Sequence, residues 1–336
     1  MTQRIPWIAA ASVVAVLVLE WLLGESAGAA LLPALTFWAS LCQGLIALLA
    51  ATLLSNATWL PPIRSRLLRV YPLLLVSPAV FMIWSGRLAL YPWAGHPDRW
   101  LDPTFFIVRN LLLQLAVAAV AYFFALALDR ESPRARTLAV VYIFAFVVAQ
   151  SLMAFDWYMS LEAPWVSTLF GAYFFIEAFY IGIAAALLAA AWAPAPDPGR
   201  MLPAQVDLAK LLFGFALFWA GQLFAQYLTI WYGNIPEEVS WLYKRAAVSP
   251  YRELSVAVLL LMFILPFGML VSSAAKRSRL VVTAAAGFVL AGYILERFLF
   301  ILPVRPVNTL VFLLEAALLG VPAALVLFGP EREAAD

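Results

Sequence analysis

The chain has 336 residues, of which 65% are hydrophobic and only 12% charged, with a formal net charge of +2. A soluble domain carries roughly 25% charged residues, so the composition excludes a water-soluble fold and describes one integral membrane domain over residues 1–336, with no argument for a nucleic-acid partner. A single Cys and a single His exclude a disulfide framework, a cysteine-ligated cluster or zinc site, and a bis-histidine haem held by this chain alone; no metal or cofactor is expected on it.

A helix needs roughly 20 apolar residues to cross the hydrocarbon. On that basis the chain is an all-α polytopic bundle of about ten transmembrane helices, at 5–23, 31–55, 67–90, 104–128, 137–155, 165–192, 207–232, 251–274, 280–301 and 309–328. The breaks carry Pro, Gly or charge: GESAG, LPPIRSR, YPWAGHPDRWLDP, DRESPRAR, the FDW hairpin, APAPDPGR, GNIPEEVSWLYKRAAVSP, AKRSR and PVRP. The first span, between Arg4 and Ala27-Gly28-Ala29, also fits a signal peptide, although Glu20 and Trp21 interrupt that pattern and the run is long enough to span. Ala and Gly in the spans let helices approach closely, and Pro72, Pro78 and Pro266 are expected to kink or open theirs.

Lys and Arg fall unevenly on alternate sides: 13 on the side that includes Arg64, Arg66, Arg69, Arg130, Arg134, Arg136, Lys276, Arg277 and Arg279, against 6 on the other, with Arg109 and Arg297 inside spans. The positive-inside rule makes the first side, with both termini, cytoplasmic, and turns the FDW hairpin and the 233–250 loop outward.

The stretch 150–182 joins the fifth and sixth spans through a polar hairpin bracketed by Asp156 and Glu162, with Trp157, Tyr158 and Trp165 as interfacial anchors. Glu177 then interrupts an apolar run 12 residues beyond Trp165, which puts it roughly 18 Å along the helix at 1.5 Å per residue. An ionisable residue at that depth is a functional candidate by default. The other intramembrane polar groups gather in the outer half: Arg109, Asp156, Arg252, Glu253, Glu296, Arg297 and Glu315. Gln222, Gln226 and Thr229 share one face of the seventh span.

Two readings of these residues stand. They are structural ion pairs, with Arg109 and Arg252 as pairing candidates and Glu296 or Glu315 neutralising Arg297 or Arg109. Or they line an outward-opening cavity for a proton or a polar ligand head. Pairing is the plainer reading of each residue alone; the asymmetry of the set favours a half-channel or ligand site. Such a half-channel would end near Glu177, with Gln222 and Gln226 as hydrogen-bonding neighbours and Glu296, Arg297 and Glu315 as the route outward. The 233–250 loop mixes aromatic anchors and charges, Glu237, Glu238, Trp241, Tyr243, Lys244 and Arg245, a pattern that suits either a partner surface or a loop lying on lipid.

The segment Ala154-Phe155-Asp156-Trp157-Tyr158-Met159-Ser160-Leu161, continuing through Trp165 and Ser167-Thr168-Leu169-Phe170-Gly171, resembles the NrfD-like (polysulfide-reductase membrane-subunit) proteins of alternative complex III, and most of all the ActF-type subunit. A second likeness runs from Phe224 through Gln226, Trp231 and Gly233 to Glu238, and a looser one covers Leu265-Pro266-Phe267 with Lys276-Arg277. Family members often carry a histidine just before the hairpin tryptophan, where this chain has Ala163-Pro164-Trp165. The resemblance implies a ten-span subunit of a quinol:electron-acceptor (cytochrome c) oxidoreductase in a bacterial inner membrane. Its implied partners are periplasmic iron–sulfur and multihaem cytochrome subunits, a second NrfD-like membrane subunit, and lipid. The chain then anchors those redox subunits; in a variant of this reading it also takes quinol or quinone as substrate, with Asp156 and Glu253, at the outer ends of their spans, as the expected proton acceptors of a quinol site. The alternative from another class is a proton-coupled secondary transporter built around Glu177, for which broken helices in matched halves would be the sign.

Overall fold

A computed structural model describes residues 5–23, 29–194 and 198–329. The GESAG break, the Ala27-Gly28 pair of the signal-peptide reading, the centre of APAPDPGR, and the basic residues Arg4 and Arg332 lie outside the described residues.

The described chain is all-α. Its helices are α1 (Ile5–Leu23), α2 (Leu31–Leu54), α3 (Pro61–Leu90), α4 (Pro103–Asp129), α5 (Arg134–Glu162), α6 (Leu169–Trp192), α7 (Pro198–Gly233), α8 (Pro236–Ala247), α9 (Tyr251–Met269), α10 (Arg279–Ile301) and α11 (Thr309–Phe328). All but α8 are long and apolar enough to cross a membrane, so the described residues contain the ten expected spans, and the chain is a multi-pass membrane protein.

The bundle is organised around α2 and α6, which are buried along almost their whole length. They pack on each other; α6 also packs on α7 and α10, and α2 on α5, α11 and α3. The two can approach because Gly44 and Gly182 carry no side chain there: a Cβ on Gly44 would stand 1.9 Å from the Ala178 carbonyl oxygen, and one on Gly182 would stand 2.6 Å from the Gly44 carbonyl carbon. Small residues at the contact are what drives helix association where lipid removes the hydrophobic term. The outer helices α1, α7 and α9 leave large apolar side chains exposed, among them Trp7, Trp21, Phe218, Trp231 and Val256, a surface suited to acyl chains.

Buried amides cross-link the first half of the bundle. Gln43 Nε2 donates to Gln114 Oε1 at 3.1 Å, Gln150 Nε2 donates to Gln43 Oε1 at 2.9 Å, Ser77 donates to Gln114 Oε1 at 3.0 Å, and Ser40 donates to Gln150 Oε1 at 3.1 Å. Each such interhelical bond contributes on the order of 0.6 kcal/mol, so the value of the set is registration of α2, α3, α4 and α5 rather than bulk stability.

Two of the three prolines mark irregular stretches of helix. Pro72 lies in a 3₁₀ stretch, Tyr71–Leu75, that breaks α3. Pro266 follows a π-helical turn, Leu260–Ile264. It has no N–H for the Met262 carbonyl four residues earlier, and the Tyr180 hydroxyl donates to that carbonyl at 2.9 Å. Pro78 sits inside a regular helical stretch, Val76–Trp84.

Three expectations are corrected. The 233–250 segment is mostly not loop: α8 fills it, opened by Pro236 with Glu237 and Glu238 in its first turn and Lys244 and Arg245 in its last, charges placed to complement the helix dipole. Asp156 does not close a span at the surface. It lies inside α5, in the π-helical turn Ala154–Tyr158, and is fully buried. Glu177 lies nearer the start of its helix than a helix opening at Trp165 would place it, because residues 163–168 are not helical and α6 starts at Leu169; it is then roughly 12 Å from that start.

Candidate functional site

At the end of the bundle that carries the FDW segment, α7, α8, α9 and α10 enclose a cavity of about 500 Å³, within the range of small-molecule sites, ~300–1,000 Å³. Its walls are mostly apolar: Leu223 and Phe224 of α7, Trp241 of α8, Leu259 and Phe263 of α9, and Leu299 of α10. The mouth opens sideways. Phe224 and Tyr227 on α7 and Val256 and Leu259 on α9 are exposed, so the gap between these helices faces where acyl chains would lie. A few polar groups converge inside: Gln226, Arg245, Tyr173 and Glu296, with Arg252 and Ser255 at the α9 side.

Glu296 links the cavity to the bundle core. The Tyr173 hydroxyl donates to its Oε1, and Arg297 Nη2 donates to its Oε2 at 2.9 Å. The same Arg297 nitrogen donates to Glu177 Oε2, and Trp219 Nε1 donates to Glu177 Oε1 at 3.2 Å. Glu177 and Arg297 are fully buried, and Glu296 is 2% exposed. The guanidinium lies 4.2 Å from the Phe174 ring centre and 4.5 Å from that of Tyr293, an aromatic cage that stabilises the cation without water. One guanidinium therefore faces two carboxyls, one of them on a cavity wall. With both carboxyls ionised, such a set carries one net negative charge.

The floor toward the FDW end is a stacked pair, Trp165 on Trp241, with ring centres 4.2 Å apart and planes at 4°. Arg245 is clamped beside it. Its guanidinium pairs with Glu162, donates to the Phe300 carbonyl at 3.2 Å and covers the Trp241 ring at 4.1 Å. Burial lowers the Arg245 guanidinium from its ordinary value and the Glu162 carboxylate opposes that.

Asp156 belongs to a second cluster. Arg109 grips it with Nε 2.9 Å from Oδ2 and Nη2 2.9 Å from Oδ1, Asn110 Nδ2 donates at 2.7 Å, and Trp100 Nε1 donates at 3.3 Å. Trp157 Nε1 closes the group by donating to Asn110 Oδ1 at 2.9 Å. The π turn frees carbonyls that side chains take up: Ser160 donates to the Asp156 carbonyl and Tyr91 to that of Trp157. Burial, with Tyr158 and Asp156 nearby, raises the Tyr91 phenol well above its ordinary value and keeps it a neutral donor.

The predicted residues thus sort differently in space. Glu177, Glu296 and Arg297 come together, and Gln226 joins them as a cavity residue that accepts from Ser167 at 2.7 Å. Gln222 is half-buried and is not the neighbour of Glu177; although α7 packs on α6 as expected, Trp219 fills that place, three residues earlier in the helix. Glu315 is not on this route, because α11 packs on α1 and α2, and its carboxyl faces Glu20. Arg109 pairs with Asp156, not with Glu296 or Glu315. Asp156 and Glu253 do not line the cavity: the first has its acceptor positions filled by three side chains, and the second is exposed and pairs with Arg252 at 2.6 Å. On α8, Trp241 and Arg245 turn inward, which leaves Glu237, Tyr243 and Lys244 as its exposed face and Glu238 half-buried. Sequence reasoning passed over Trp219, Asn110 and the pairing of Glu20 with Arg87; polar residues inside apolar runs, amides and indoles included, were the available signal.

No protein-family model matches the chain, and no curated protein matches it.

Proposed function

We propose that this chain is the membrane subunit of a quinol:electron-acceptor oxidoreductase, and that it binds quinol in the cavity between α7, α8, α9 and α10. The observation that carries the reading is the carboxyl of Glu296 on the wall of a lipid-facing apolar cavity, joined through Arg297 to Glu177. Quinol oxidation needs a slot that admits an apolar ring and tail, and a base within hydrogen-bonding reach of a ring hydroxyl. Glu296 is that base in place of Asp156 and Glu253. Tyr173 and Arg297, each donating to one of its oxygens, hold the carboxyl in place. Oxidation of one quinol releases two protons and two electrons; Glu296 takes the first proton, and Glu177, which shares Arg297 with it, takes the second. Electrons leave to redox groups on partner subunits, since a single Cys42 and a single His96 do not make a cluster or haem site here.

In this reading the FDW end faces the periplasm of a bacterial inner membrane, both termini are cytoplasmic, and the exposed face of α8 meets an iron–sulfur or cytochrome subunit. The stacked Trp165–Trp241 pair borders both the quinol cavity and an outer concavity of about 540 Å³ that also includes Glu237 and Lys244, so it stands between quinol and partner.

A photoreactive quinone bound to the purified complex tests the site. The expected crosslinks fall on Phe224, Tyr227 or Leu259, and Glu296→Gln lowers quinol turnover about 100-fold, the scale of general-base loss. Crosslinks confined to other subunits together with wild-type turnover in Glu296→Gln would sink the proposal.

A further inference from the structure

A second buried acid site lies on the opposite flank of the bundle, where α1, α3 and α11 meet. Glu20 is three residues from the end of α1 and Glu315 six residues into α11, so both lie roughly 5–9 Å inside the membrane-spanning helices from the FDW end. Arg87, in the last turn of α3, pairs with Glu20 Oε2. Glu20 is 7% exposed and Glu315 is 0% exposed. α1 packs on α11, which brings the two carboxyls close enough to act on each other, yet among the described residues Glu20 Oε1 and both oxygens of Glu315 meet no donor.

The charges do not balance as they stand. One guanidinium faces two carboxyls, and among the described residues no other charged group from α1, α3, α11 or the adjoining α2 acts on Glu315. The neighbouring α2 side chain is Trp38, whose indole N–H donates at 2.9 Å to the Ala316 carbonyl and not to the acid. An unmatched carboxylate buried between helices is strongly disfavoured. A single proton placed between the two acids removes that charge and supplies the missing donor at the same time.

We propose that Glu20 and Glu315 form a proton-binding site, one proton shared between the two carboxyls and held against Arg87. The ligand is a proton rather than a metal cation: two carboxylates already engaged by a guanidinium offer too few oxygens for sodium, which like other hard cations takes about six. The site is separate from the Glu296–Arg297–Glu177 set, and it stands whether or not quinol binds near Glu296. Because α1 covers it from the lipid side and packs mainly on α11 and α3, displacement of α1 is the motion that would open it to exchange.

Infrared spectroscopy of the purified protein in lipid nanodiscs tests this, read at the carbonyl stretch of neutral carboxylic acids near neutral pH. Wild type is compared with Glu315→Gln, Glu20→Gln and the double variant. A shared proton predicts that each single variant loses the same one-carboxyl intensity, because the remaining acid then ionises against Arg87, and that the double variant loses no more. Additive losses in the double variant, or no loss in either single one, overturn the proposal. Loss of the wild-type band on adding sodium chloride overturns it in favour of a cation site. Should a Gln variant fail to fold, Glu315→Asp keeps the acid and must shift the band without abolishing it; an unshifted band counts against the site.

Discussion

Two buried carboxylate clusters near the same end of this bundle have opposite designs. Around Asp156 there is one acid, one guanidinium, and two further donors from Asn110 and Trp100, so the charge is paired and the carboxylate oxygens have their donors. Around Arg297 there are two acids for one guanidinium, and one of those acids lines a cavity. A closed, neutral cluster has nothing left to offer a ligand and acts as a rivet between α4 and α5. An open cluster with charge to spare can take up a proton. Burial and cost to the membrane are alike in the two; stoichiometry and access separate them.

The comparison breaks most sharply at Arg109. Arg109→Leu strands a buried carboxylate, and the expected loss is about 3–5 kcal/mol, read as a large drop in thermal stability of the detergent-solubilised protein, with quinol kinetics of any folded fraction unchanged. If stability holds, the rivet reading is wrong. Next in size is Glu296→Gln. It keeps shape and the Tyr173 contact but cannot ionise, and a turnover loss of about 100-fold corresponds to roughly 2.7 kcal/mol in the transition state, with stability little changed. Asp156→Asn should do the reverse: a stability loss of about 1–3 kcal/mol from weakened charge-assisted bonds and quinol KM and kcat within error of wild type. A kinetic defect in Asp156→Asn with normal stability would return Asp156 to the quinol site. The smallest effect is at the surface. Lys244→Ala removes the half-exposed partner of Glu162, and a change below about 1 kcal/mol is expected because Arg245 still holds that carboxylate; in the assembled complex the same variant should weaken retention of a periplasmic subunit, measured by co-purification.

The π turn at Ala154–Tyr158 shows why the FDW segment was legible as special but not as what it is. Its aromatic and acidic residues marked an interface, and the turn to Pro164 looked like a hairpin. The helix instead runs on to Glu162, because Ser160 and Tyr91 satisfy the carbonyls that the π turn releases; Tyr91 lies 66 residues away in sequence, and no local pattern announces it. Glu177 is similar. Its depth in an apolar run made it a candidate, but Arg297 is 120 residues distant, and only the packing of α10 against α6 brings the pair together.

What the sequence by itself determined is therefore the set of properties that depend on local chain length and composition. Ten apolar runs long enough to cross a bilayer must become helices there, because each backbone N–H and C=O needs a partner within its own segment; the structure shifts helix ends, as at Leu169 and at Glu162, without changing the number of spans. Tertiary structure alone decided which polar group faces which. Glu315 and Glu296 look equivalent in the sequence, each an acid in the outer part of an apolar helix, yet α11 turns the first toward Glu20 and Arg87 while α10 turns the second toward a cavity. The partner of a buried charge is set by helix rotation and by which helices touch, and in this bundle that is governed by small-residue contacts such as Gly44 with Gly182, whose effect reaches far along the chain from where they occur.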